Sequence, residues 1–165
     1  MKINSVVRTA LFIALTFIFT LISVPNGLNG YTNFGDAIIL VSTAFLGPVA
    51  AFFVGGVGSA LADLSLGYFM YIPASFLIKG LIPVIFILIS KPLIKKIRSK
   101  RAVKIFSALL AELFMVIGYY IFSALIFSSF TAPLISLPSD MIQAAIGITA
   151  YIIISEILEK LKVVK

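Results

Sequence analysis

The chain has 165 residues, of which 61% are hydrophobic and 12% charged, against about 25% charged in an ordinary soluble protein. A soluble domain of this length has too little interior to hide so much apolar surface, so the composition excludes that class and points to an all-α membrane protein. With no Cys and no His, disulfides, thiol chemistry and histidine bases are excluded as well, and the net charge of +7 is gathered in short segments at membrane edges rather than spread as a nucleic-acid footprint.

The first predicted span covers residues 6–24. Lys2 and Arg8 precede an apolar run from Ala10 to Val24, a signal-peptide outline. The run is long enough to cross a bilayer and "ISVPNGLNG" offers no convincing cleavage site, so a retained first helix is expected. Pro25-Asn26-Gly27-Leu28-Asn29-Gly30 then breaks it.

The next 28 residues, Asp36 to Asp63, read either as one overlong span or as two short ones divided at Gly47-Pro48. Charge decides between them. Downstream lie a span at 73–90, the loop "KPLIKKIRSKR" with six Lys or Arg and no acid, a span at 102–127, a loop, and a span at 139–158 followed by Lys160, Lys162 and Lys165. An undivided 36–63 would put the basic loop and the N-terminus on opposite sides. Division into 36–47 and 48–63 gives a single domain of six spans over residues 1–165, with N-terminus, basic loop and C-terminus all cytoplasmic, as the positive-inside rule prefers. Each short half is only about 14 residues, roughly 21 Å of helix, so neighbours must shelter the pair. Gly55, Gly56, Gly58, Ala60 and Ala62 would let their backbones approach closely.

This topology puts Asp36, Asp63 and three nearly uncharged loops, 25–35, 64–72 and 128–138, at the outer face. Asp36 opens its helix, where an acid caps free N–H groups, meets a ligand or braces the loop before it, and Asn33 serves the same loop or ligand. Asp63 ends its helix against the dipole and needs a partner, with Lys79 the candidate. Lys79 lies about 9 Å below the outer edge, a depth at which a charge faces a bundle interior or a wet cavity. Glu112 falls near mid-membrane, as the floor of a cavity or an interhelical contact. Of Tyr119 and Tyr120, one can face the interior while the other faces lipid or the interface. Asp140 and Gln143 open the last span, the first as a cap, the second as an amide for a ligand. Tyr31, Phe34, Tyr68, Phe69, Met70 and Tyr71 could form an aromatic lid over a flat ligand. Ala10 and Ala14 make a small-xxx-small pair that fits either internal packing or another membrane protein. No catalytic constellation or phosphate loop is present, so an enzyme with its own ATPase site is not expected, nor is a cofactor.

"NFGDAIILVSTAFLGPVAAFFVGGVGSALADL", residues 33–64, and "YIPASFLIKGLIPVI", residues 71–85, resemble the substrate-binding S components of energy-coupling factor (ECF) transporters. The likeness is to the riboflavin-type branch, which includes proteins assigned to pyridoxine and hydroxymethylpyrimidine uptake. The resemblance implies a six-helix subunit of a bacterial or archaeal cytoplasmic membrane that holds a vitamin near the outer face under the loop at 26–35. It implies ligand contacts at Lys79, Tyr119 or Tyr120, and Gln143. It also implies docking of a transmembrane coupling subunit, powered by two cytoplasmic ATPases, on Ala10 and Ala14. With no Trp, stacking must use Tyr or Phe. Asp, Lys and Asn suit a small hydroxylated ring, so the expected cargo leans to a B6-like or pyrimidine ligand, with riboflavin also fitting. A stand-alone carrier or channel for a small polar solute, with Glu112 as relay, and a structural scaffold are the alternatives.

Overall fold

The computed structural model describes residues 3–26 and 30–163. Residues 27–29 of the expected covering loop, and Lys2 and Lys165 among the terminal charges, lie outside them. Six helices form the bundle: α1 (Ile3–Leu21), α2 (Gly35–Ser42), α3 (Pro48–Leu66), α4 (Ile72–Lys96), α5 (Lys100–Ile126) and α6 (Leu137–Lys160). Single 3-10 turns at Phe69–Tyr71 and Ala132–Ile135 lead into α4 and α6. The loop after α1 is a short antiparallel ribbon of β1 (Ser23–Pro25) and β2 (Tyr31–Asn33), with Val24 opposite Thr32, which sequence periodicity did not reveal.

Five helices among the described residues are long and apolar enough to cross a membrane. The sixth, α2, has 8 residues, about 12 Å of helix, and every one is buried. It does not cross a bilayer by itself. Enclosed by α1, α4 and α6, it descends from the chamber end, turns through Thr43–Leu46 and hands over to α3. The break falls at Gly47, which is extended, with Pro48 opening α3 where a missing N–H is harmless. Asp36 at the start of α2 and Asp63 near the end of α3 therefore lie toward the same end of the bundle, where Asp36 bonds Lys79 and Asp63 bonds Tyr31.

Close helix contact follows from small residues. A Cβ on Gly55 would collide with the Lys79 carbonyl, and one on Gly56 would stand 2.7 Å from the Phe76 carbonyl. Pro83, four residues beyond Lys79, has no N–H to offer the Lys79 carbonyl, and the bare backbone of Gly55 packs on that oxygen instead. Gly58 meets Thr16 of α1 in the same way. At the far end of α3, Gly67 takes a left-handed φ of 82° and its N–H closes on the Asp63 carbonyl. Ile39, Leu40, Val54, Ile82 and Met115 make the apolar centre, while Leu11, Leu77, Leu88, Leu113, Leu125 and Ile153 face outward. Buried polar residues and an exposed apolar belt are the polarity that lipid demands.

Gly55→Val is expected to destabilise the bundle by about 1–3 kcal/mol or more through overpacking against α4. Gly47→Ala, where a Cβ meets nothing within 4 Å, should not. Thermal denaturation in detergent followed by size exclusion checks both.

Candidate functional site

At the end of the bundle that carries the ribbon, residues of α1, α3, α4, α5, α6 and β2 line a chamber that opens to solvent at its mouth. The periodicity of the helices puts its lining on the page. Tyr71, at the end of the 3-10 turn before α4, and Ser75 and Lys79 on α4 recur every fourth residue and form one face; Ser59 and Asp63 do so on α3 and Tyr119 and Ser123 on α5, while Ser136 just before α6 is followed by Asp140 and Gln143 on it, four and seven residues on. Thr20 joins from α1.

The floor is an ion pair. The Lys79 ammonium donates to both carboxylate oxygens of Asp36 at 2.7 Å, with side chains 3% and 1% exposed. The Gln143 amide donates to Asp36 Oδ2 at 2.7 Å. Its own carbonyl oxygen accepts from the Asn33 backbone N–H at 2.9 Å and from the Asn33 side chain at 3.1 Å. Asn33 Oδ1 in turn accepts from the N–H of Gly35 at 2.9 Å, which satisfies the first turn of α2. The Lys79 ammonium also stands 5.5 Å from the centre of the Tyr119 ring, within cation–π range. A charge pair this deep is tolerable only because hydrogen bonds satisfy its remaining valences. Gly147 on α6 makes room for it, since a Cβ there would sit 3.0 Å from the Asp36 Cβ.

The roof is the ribbon. Tyr31 donates to Asp63 Oδ1 at 2.6 Å, its ring stands 4.9 Å from that of Tyr68, and Thr32 donates to the Ser139 carbonyl at 3.3 Å. Burial first, and then the adjacent Asp63 carboxylate, push the Tyr31 hydroxyl far above its usual range, so it remains a donor. Tyr119 bonds Ser75 at 2.7 Å, and Tyr71 bonds Ser123 at 3.2 Å.

Of the residues expected at a site, Asn33, Asp63, Tyr31, Tyr68, Lys79, Tyr119, Asp140 and Gln143 line this chamber, and Asp36 lies directly behind Lys79. Three expectations need correction. Lys79 pairs with Asp36 rather than Asp63, because α2 descends between α4 and α6 and brings its acid to the amine; Asp63 takes Tyr31 instead. Asp36 does not cap its helix, since both its oxygens are engaged across the bundle. Phe34 is 40% exposed and lies outside the lining, as do Phe69 and Met70, so the aromatic lid reduces to Tyr31, Tyr68 and Tyr71. Tyr120 turns away to donate to the Phe130 carbonyl at 2.7 Å. Glu112, 1% exposed, does not reach the chamber; it faces Gly147 below Asp36, and neither of its oxygens has a hydrogen-bond partner among the described residues. Thr20, Ser59, Ser75, Ser123 and Ser136 were missed as lining residues. Their spacing of four from Asp63, Lys79, Tyr119 and Asp140 was the available signal for all but Thr20.

Replacing Lys79 by Met alone leaves a buried carboxylate unpaired and is expected to cost about 3–5 kcal/mol. The double change Asp36→Asn with Lys79→Met should recover most of that. Thermal denaturation of the two single variants and the double separates the coupling from each loss.

The comparisons with known proteins agree with this architecture. The family described as "ECF-type riboflavin transporter, S component" matches residues 1–160. A Pyrococcus woesei protein described as "Uncharacterized protein in gap 3'region" is 41% identical over 68 residues, 41% of this chain. That alignment spans 45% of the relative, so the chain covers less than half the length of the curated protein it matches. A solved chain described as "Structure and mechanism of the S component of a bacterial ECF transporter" superposes with a TM-score of 0.72 over 98% of both chains, at 21% identity, a likeness of fold. With a family match running almost end to end and five helices fit to cross a bilayer, this multi-pass membrane protein belongs to the S components of ECF-type transporters, in the riboflavin-type branch.

Proposed function

We propose that this chain is the vitamin-capturing subunit of an ECF-type importer, and that its cargo is a flat, hydroxylated, uncharged vitamin of the riboflavin kind. The observation that carries this reading is the chamber. It is roofed by tyrosines, lined by hydroxyls and carboxylates, and its single buried cation is already neutralised. A strongly anionic cargo would find no free positive charge among the described lining residues. The lean toward a B6-like or pyrimidine ring rests on Asp, Lys and Asn side chains reading it. Asp36, Lys79 and Asn33 are engaged with one another and with Gln143, which leaves Asp63 and Asp140 as the acids facing the chamber. What remains toward the chamber suits ring stacking and hydroxyl recognition. Beneath it, Ile39, Leu40, Ile82 and Met115 are fully buried, which favours a receptor over a channel.

Family membership implies assembly with ECF partners. For the coupling subunit we favour α1. Ala10 and Ala14 are exposed, in a stripe with Ile3, Val7 and Ile18, so they are not used in packing within this chain. Two ATPases acting through that subunit supply the energy that a chain without a phosphate loop lacks. The chamber faces outward and the end bearing Lys91, Lys95, Lys96 and Arg98 faces the cytoplasm, as the asymmetry of charge requires.

Titration of the detergent-purified chain should show tight binding of riboflavin and weaker binding of pyridoxine and hydroxymethylpyrimidine; the reverse order would return the cargo to the smaller rings. Ala10→Leu with Ala14→Leu should abolish uptake into vesicles holding the full transporter while leaving binding intact. Loss of binding as well would assign the pair to the fold. Because the chain has no cysteine, single-cysteine labelling reads orientation cleanly: Phe130→Cys should react from outside intact cells and Lys95→Cys only after permeabilisation.

A further inference from the structure

The chamber contains three buried polar atoms with no hydrogen-bond partner among the described residues: Thr20 Oγ1, Ser59 Oγ and Asp63 Oδ2. Their residues are 1%, 2% and 2% exposed. Thr16, Ser107 and Glu112 also have unpartnered side-chain oxygens, but they do not line the chamber. The three that do lie together on its α1–α3 side. Ser59 and Asp63 are one turn apart on α3. Gly58 packs on Thr16, so the next turn of α1 brings Thr20 up beside the same stretch of α3. A Cβ on Gly35 would run into the Thr20 hydroxyl, which places that hydroxyl against the start of α2 as well.

Helix hydroxyls normally have an easy local partner, the carbonyl one turn back. Thr9, Ser65 and Thr149 take it, donating to Ser5, Leu61 and Ala145 at 2.8, 2.9 and 2.7 Å. Thr20 and Ser59 do not. Ser75 bonds Tyr119, and its hydroxyl also faces Asp63 from α4, where it can donate to that carboxylate. Buried polar groups left unsatisfied are costly, and three of them converging on one cavity wall suit a ligand that brings its own hydrogen bonds.

We propose that Thr20, Ser59 and Asp63 form a subsite that reads the hydroxylated side chain of the cargo, while the ring lies toward Tyr71 and Tyr119. This rests on the chamber being the vitamin site. The chemistry is specific. A carboxylate oxygen only accepts, so the group at Asp63 must donate, while the Thr and Ser hydroxyls can each donate and accept. Such a set fits successive hydroxyls of an open-chain polyol. Asp63 accepts from Tyr31 with one oxygen and from the cargo with the other, so a single side chain joins the bound chain to the ribbon above it.

The test compares riboflavin with lumiflavin, which has the same ring system and a methyl group in place of the polyol. The full-length chain in detergent is titrated with each, and the ratio of the two affinities is read. The wild type should favour riboflavin by about a hundredfold or more. Asp63→Asn should reduce that ratio about tenfold or more, and Thr20→Val and Ser59→Ala about fivefold each. The last two leave the Tyr31–Asp63 bond in place and carry the comparison if Asp63→Asn fails to fold. If riboflavin binds but the ratio is the same in the wild type and in every folded variant, the subsite is overturned and the receptor reading stands. If neither flavin binds the wild type, the cargo assignment falls and the subsite with it.

Discussion

The ion pair between Lys79 and Asp36 is the constraint around which the rest of the bundle is arranged. Two charges at this depth in an apolar bundle each lose several kcal/mol of hydration, and their mutual attraction repays this only when every remaining hydrogen-bonding position is filled. Filling them recruits Gln143, Asn33 and the face of Tyr119, and so ties α2, α4, α5, α6 and the ribbon to one point. The backbone around the pair is built to admit it. Gly147 allows the Asp36 side chain close to α6, and Gly55 lets α3 press on the turn of α4 that carries Lys79.

Neutralising Lys79, the only buried lysine among the described residues, also sets the character of the chamber above it. With that charge cancelled, what faces the chamber is tyrosine rings, hydroxyls and the carboxylates of Asp63 and Asp140. The ribbon closes this space by bonds to both walls, Tyr31 to α3 and Asn33 to α6. A cargo that engages Asp63 therefore touches the residue that also holds the roof.

Much of this was legible in the residues, and the failures have a common origin. Lys79 is placed in a cavity because depth along a helix follows from counting 1.5 Å per residue and a buried charge demands company, whereas the choice between Tyr119 and Tyr120 stays open in the sequence. The division at Gly47-Pro48 followed from the charge distribution and the chemistry of proline. The lining serines were visible in principle, as polar residues four apart on otherwise apolar helices. Phe34 was misplaced because neighbouring aromatics in a loop give no sign of which one turns inward. The ribbon was missed because three-residue strands are too short for a period to register.

By itself the sequence determined the membrane class, the six helices and the end of the bundle on which the polar residues gather. These depend on composition and on local periodicity, which the chain carries in every short window. Tertiary structure alone decided which acid Lys79 would choose, that Asp63 would instead hold the ribbon through Tyr31, and which hydroxyls would be left facing the chamber. Those outcomes join residues 43 and 32 positions apart, and 110 for Asn33 and Gln143. At such separations the partner is set by where helices pack, a property of the whole bundle rather than of any segment.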